Sequence, residues 1–272
     1  MDEQKSELWV GGLEGLKGKY LKSLCEIQRE GIPALATYLI QETDFFTAPG
    51  SANNHNAYEG GLVEHSLLVM INAIKLGCLY APGTKYYDSI VLSSLLHDVC
   101  KVNFYKRYWK PVKQVNPETG EDLLNEYNKP IWFQEPRYTI EDALPYGHGE
   151  KSVMIVQEFV KLTEQEKMAI RWHMAGYDDT ARSYSGGLAL GNAMNKYGLI
   201  TILHMADLAS IYLEESNIVD TEICSNSITT CTFRGTHENN LNACLFGDPP
   251  AHNTFSCGWL INNGDCPRGL KK

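Results

Sequence analysis

This chain has no surplus of positive charge and no cysteine pairs at motif spacing, and neither an N-terminal leader nor a membrane-length apolar run is expected from its sequence. With 24 Lys and Arg against 33 Asp and Glu, net charge is −9 and the pI about 5.4. Nonspecific binding to a long nucleic acid normally needs a basic face, so that partner is not expected. A small phosphorylated ligand remains compatible, because a bound cation reverses the field inside a cleft. The opening "MDEQKSELWVGG" has neither a basic nor an apolar leader region. No run is read as approaching the ~20 apolar residues of a membrane span. A cytoplasmic protein with no membrane partner is therefore the expectation.

Cysteine is plentiful but badly spaced for a framework. Cys25, Cys78 and Cys100 fall in helical-looking segments and read as buried small hydrophobes. Cys224, Cys231, Cys244, Cys257 and Cys266 crowd the last fifty residues without any C-x-x-C. With His237 and His252 they could form a zinc site, which the spacing does not favour. What is present is ordinary globular composition, 43% hydrophobic and 21% charged, in a chain long enough for one sizeable core.

Helical periodicity is expected over 13–30, ending at Gly31, and again from Pro33 through "ALATYLIQE". A Gly/Asn/Pro-rich loop then leads to helices at about 62–76 and 88–101. Between 102 and 146, prolines, aromatics and turn signals replace that period and predict an irregular insertion with a β-hairpin. Helix returns at "EKSVMIVQEFVKL", then at "TEQEKMAIRWHMAG", where Thr163 and Glu166 stand at capping-box spacing and Gly176 suits a stop. A long apolar helix is expected over about 192–215. The fold class is all-α: a helical domain over 1–216 and a Cys/Asn-rich, poorly patterned extension over 217–272, with no internal repeat.

Polar residues interrupt these apolar helices at particular places. His65 lies in "GGLVEHSLLV", His97 and Asp98 in "SLLHDVCK", His148 in "PYGHGEKS", His173 in "IRWHMAG" and Asp207 in "HMADLAS". Any one of them alone is more simply a core or surface residue. Arriving jointly from five helical segments, four imidazoles and two carboxylates can converge inside a bundle on Fe, Zn, Mn or Ni, with a carboxylate bridging two ions. His55, in a loop, and His204 are read as bystanders, Glu64 as a surface carboxylate, and Arg171 as facing away. Lys101, one turn past Asp98, either holds a phosphate or is a solvated lysine at a helix end. Lys151 is a candidate substrate contact. Tyr105, Lys106 and Arg107 in "NFYKRYWK" could stack a base and hold a phosphate, or form an exposed lid edge.

The motifs "GGLVEHS", "LLHDVCK", "YGHGEKS", "RWHMAG" and "HMADL" resemble those of the HD superfamily of metal-dependent phosphohydrolases, over about residues 55–215. The insertion 102–146 and the tail fall outside the likeness. "GGLVEHS" followed by "LLHDVCK" is particularly similar to the HD domain of bacterial 3′→5′ exoribonucleases, whose additional oligonucleotide-binding barrel has no strand pattern here. The resemblance implies an HD-domain helical bundle in which His65, His97, Asp98 and Asp207 hold one divalent ion and His148 and His173 a second. The ions would be Mn, Fe, Mg, Zn or Ni. It further implies Asp98 as the bridging carboxylate, Lys101 beside it on phosphate, and a hydroxide activated by two metals attacking a phosphoester. The substrate class would be a nucleotide or other short phosphorylated molecule; a homo-oligomer stays open. Exonuclease action on short oligonucleotides is one alternative. Another is a mixed-valent di-iron oxygenase, since the ligand order also resembles that of inositol oxygenase. A metal-retaining sensor without turnover is a third.

Overall fold

The computed structural model describes residues 8–80, 86–117 and 119–215. They form a mostly helical body with one two-stranded sheet. The eight α-helices among them are α1 (Gly12–Cys25), α2 (Ile32–Gln41), α3 (Gly61–Tyr80), α4 (Tyr87–Leu96), α5 (His148–Gln157), α6 (Glu164–Trp172), α7 (Tyr184–Lys196) and α8 (Gly198–Ala209). Cys224 to Cys266, His237 and His252 lie outside the described residues.

Helix α3 is the axis of the body. Its sequence is apolar on every side, and every residue from Gly61 to Ile74 is buried, so it is covered all round by other helices. It packs on α4 and α8; α6 packs on α5 and α8, and α1 closes one end against α2, α3 and α4. Contrary to the sequence reading, Gly61–Tyr80 is long and apolar enough to cross a membrane, with a mean hydropathy of 1.5 over its best 18-residue window. Being 78% buried over that window, it serves here as a core helix.

Other boundaries move for local reasons. The first helix stops at Cys25 rather than 30, and the chain after it carries Arg29 to the buried carboxylate of Glu166 at 2.7 and 2.9 Å. The expected single helix over 192–215 is two. Tyr197 is extended (φ −129°, ψ 93°) between α7 and α8, and α7 begins earlier, where the Ser183 hydroxyl accepts from the Gly186 N–H. Helix α8 then widens into a π-turn over Ser210–Glu215. The capping box does form at the start of α6: Thr163 Oγ1 accepts from Glu166 N–H while Glu166 accepts from Thr163 N–H.

The insertion is a hairpin. Strands β1 (Tyr105–Lys113) and β2 (Trp132–Ile140) pair antiparallel from Tyr105↔Ile140 to Lys113↔Trp132. Pro111 and Pro136 are tolerated because a two-stranded ribbon is all edge. Most of its residues are exposed, while Tyr138 is buried.

Candidate metal centre

Each polar residue found inside an apolar helix is delivered to one place. His65 sits one turn into α3. Helix α4 ends at His97, and Asp98 takes a bridge-region conformation (φ −106°, ψ 17°), so both side chains turn into the core before the 3₁₀ turn Val99–Lys101. His148 opens α5, His173 caps α6 and Asp207 lies near the end of α8. His65, His97, Asp98, His173 and Asp207 are all buried, and only the rim residue His148 is appreciably exposed.

One arrangement is common to all four histidines. The outer ring nitrogen, Nδ1, is anchored, and Nε2 faces the others. His97 and His173 donate Nδ1–H to the carbonyls of Ser94 and Ile170, three residues back, each at 2.7 Å. Nδ1 of His65 is 2.7 Å from Glu215 Oε1, and Nδ1 of His148 is 3.3 Å from Cys100 Sγ. Inside, His65 Nε2 is 3.2 Å from His97 Nε2 and 3.2 Å from Asp207 Oδ1. His173 Nε2 is buried without a hydrogen-bond partner, its approach to Asp98 Oδ1 being 3.6 Å.

Asp98 stands between two groups. Its Oδ2 is 3.6 Å from His65 Nε2, 3.5 Å from His97 Nε2 and 2.7 Å from Lys101 Nζ. Its Oδ1 is 2.7 Å from His148 Nε2 and faces His173.

These groups fit a divalent cation. Two imidazole nitrogens 3.2 Å apart cannot both donate, and that separation suits ligands on one ion at about 2.0–2.1 Å each. The orphaned His173 Nε2 is the kind of atom a cation would satisfy. The sets His65–His97–Asp98, His97–His173–Asp207 and Asp98–Cys100–His148 each bring their ligand atoms within 4.8 Å of one another.

Charge in the site is strongly correlated. Burial drives His97 down to about 3, keeping its Nε2 lone pair free. Burial also opposes charge on His65, but the Glu215 and Asp207 carboxylates outweigh it and lift that group to about 10. Asp98, despite burial, is held well below the usual carboxylate range by Lys101, His97 and His148. Asp207 is lowered too, its burial overcome by His65. Three carboxylates buried among imidazoles thus call for positive charge, which a cation would supply.

The chain matches no protein family, no curated protein and no solved structure. The reading of the site therefore stands on its own atoms.

Those atoms include residues that the sequence reading set aside. Cys100 is not simply a small hydrophobe, since it backs His148. Glu215 pins His65, and it lies two helical turns beyond Asp207, a spacing that could have flagged it. His55 stacks near His65 with ring centroids 5.3 Å apart and joins His65 and Glu215 in a further ligand-capable set. Glu64 is fully buried rather than on the surface, and the Tyr58 hydroxyl donates to it. His204 donates Nδ1–H to the His173 carbonyl at 2.7 Å, holding that residue's backbone.

Candidate substrate contacts are distributed differently. Lys101 donates to Asp98 Oδ2 and to the Gly50 carbonyl, each at 2.7 Å, and Asp98 holds its ammonium charged against burial. Lys151 is committed to Asp142 Oδ1 at 2.6 Å, over the Phe104 ring. Tyr105 is half-buried close to Lys101. Arg107 lies over Trp109 and 3.8 Å from Glu59, and Lys106 pairs with Glu141 at 2.9 Å. Arg171 does turn away, to Asp178 and Glu150. Of the hairpin cations, Arg137, which sequence reasoning passed over, lines the cleft beside Asp207.

Proposed function

We propose that this chain is an HD-type, metal-dependent phosphohydrolase or phosphodiesterase acting on a nucleotide or another small phosphorylated molecule. The single observation that carries the reading is Asp98: one buried carboxylate with His65 and His97 on one oxygen and His148 and His173 on the other. That is the layout of a carboxylate bridging two ions, with Asp207 completing the first set. The motif resemblance to the HD superfamily points the same way.

In this reading His65, His97, Asp98 and Asp207 would hold one divalent ion, and His148 and His173, with Asp98, would hold the second. Bound there, such ions would supply Lewis-acid polarisation of a phosphoryl oxygen and a water acidic enough to attack at neutral pH. The protein's contribution is placement. Carbonyl, carboxylate and sulfur anchors on each Nδ1 fix the imidazole rings in the ligating tautomer. Lys101 spends two N–H groups on Asp98 and Gly50, which leaves a third for a phosphate oxygen. Helices α3, α4 and α6 exclude bulk water from His65, His97 and His173, so field strength in the site is high.

The test is a screen of nucleotides, cyclic dinucleotides and simple phosphomonoesters with Mn²⁺, Fe²⁺, Mg²⁺ or Zn²⁺, following O₂ uptake together with phosphoester cleavage, read as phosphate released from a monoester or as the phosphomonoester left by a cleaved diester. Cleavage that disappears in Asp98→Ala supports the proposal. O₂ uptake by the iron-loaded protein without phosphoester cleavage would move it to the oxygenase class. Metal binding with neither reaction would overturn both.

A further inference from the structure

The metal centre opens on a cleft of about 920 Å³, and Asp207 belongs to the walls of both. Met174, Leu208 and Ile211 give the cleft an apolar lining, and two tyrosines, Tyr177 and Tyr212, stand 56% and 53% exposed at its sides. Arg137, whose side chain is 37% exposed, and the exposed amides of Asn53 and Asn54 put polar groups on the same walls.

These groups describe the ligand. The Arg137 guanidinium donates to Glu135 from Nη2 and has further N–H groups for an acceptor. The amides of Asn53 and Asn54 can both donate and accept. Donors and acceptors on one rim, a flat apolar body and exposed phenol rings beside it match a heteroaromatic base.

We propose that this cleft seats the base of a nucleotide, with Arg137 and the amides of Asn53 and Asn54 on its polar edge and Tyr177 or Tyr212 against its face. The placement of the phosphate at the metals rests on the phosphohydrolase reading, whereas the base site rests on the cleft's own atoms. Arg137 comes from β2, so the hairpin inserted between the histidine motifs supplies part of the specificity.

The experiment is calorimetric titration of the full chain, in EDTA so that nothing turns over. The probes are the adenosine, cytidine, guanosine and uridine 5′-monophosphates, with ribose 5-phosphate as the baseless control. At least one nucleotide should bind about tenfold more tightly than ribose 5-phosphate, the scale of one stacked base. Arg137→Ala and the double variant Tyr177→Ala/Tyr212→Ala should each remove most of that margin without changing ribose 5-phosphate affinity or the metal content of the protein measured before EDTA is added. Equal affinity for all five probes, or a margin that survives Arg137→Ala, overturns the proposal. A base margin in a protein that releases no phosphate with any metal would sink the hydrolase reading and leave the base site standing. Phosphate release from many monoesters with no base margin would do the reverse.

Discussion

Nδ1 of each site histidine is where the arrangement is enforced. An imidazole can offer a lone pair to a cation only from the nitrogen that carries no proton, so a fixed acceptor on Nδ1 commits Nε2. For His65 that acceptor is Glu215, which, like Cys100 behind His148, is a side chain rather than a carbonyl and so can be removed by substitution. Glu215→Ala should therefore weaken metal binding by about 10–100-fold, measured by chelator competition, while its far-UV spectrum stays unchanged. The ligand candidates were legible because His and Asp are conspicuous among Leu, Val and Ile, as at His97 and Asp98. Their anchors were less so: Cys100 is indistinguishable in sequence from a packing residue, and Glu215, in a polar helix end, offered only its spacing from Asp207. A different buried carboxylate, Glu166, accepts from Arg29, Ser89 and the Thr163 N–H, far from the metal ligands in role. Burial pushes its pKa up, yet these hydrogen bonds, led by Arg29, more than offset it and leave the group lowered from 4.5. A depressed folded-state pKa gives stability that is present above about 4.5 and lost as pH falls toward the folded value. Glu166→Gln should cost about 3 kcal/mol at neutral pH, and its Tm deficit against the wild type should shrink as pH drops below about 4.5.

Helices α5 and α6 bring the second pair of histidines together, and a glycine makes the approach possible. At Gly149, a Cβ would fall 2.2 Å from the Arg171 carbonyl oxygen and 2.7 Å from its carbon. These are backbone atoms of α6, next to His173, and Gly149 itself follows His148. Gly149→Ala must push the two helix ends apart. If the proposed two-ion centre is right, bound metal per chain should fall from about two to about one by elemental analysis, with a stability loss of about 1–3 kcal/mol from overpacking. Thr163→Ala, at the other end of α6, makes the contrasting case: it loses a cap worth about 1 kcal/mol in denaturant titration and leaves metal content alone. The capping box could be read from Thr163 and Glu166 because both partners lie within one turn. The split between α7 and α8 could not, since apolar spacing runs on through Tyr197 and Gly198, and it is the extended Tyr197 backbone that divides the helices. Nor was the buried fate of Glu64 readable, because its partner Tyr58 comes from the preceding loop.

Across the whole body, the ligand set joins segments that are distant in sequence, from His65 on α3 to Asp207 on α8, with α4, α5 and α6 contributing between them. The helical class and the inserted hairpin followed from periodicity, since helix and turn signals are local. How the helices stack around α3 depended on contacts that no window of sequence contains. On the proposed reading, the same geometry would make a bound metal a cross-link of the native state. The unfolded chain has no preformed site, so binding free energy adds to folding free energy. With the free ion at a hundredfold over its Kd, the gain is about 2.7 kcal/mol, or a rise in Tm of about 5–10 °C for a body of this size. Mn²⁺ or Co²⁺ should produce that rise in a thermal melt of the full chain, and EDTA should reverse it. Asp98→Ala should abolish the metal-dependent increment whatever its own baseline Tm, because Asp98 lies within 3.6 Å of an Nε2 of all four histidines. An increment of the same size in Asp98→Ala would mean that the cation binds somewhere other than among these helices.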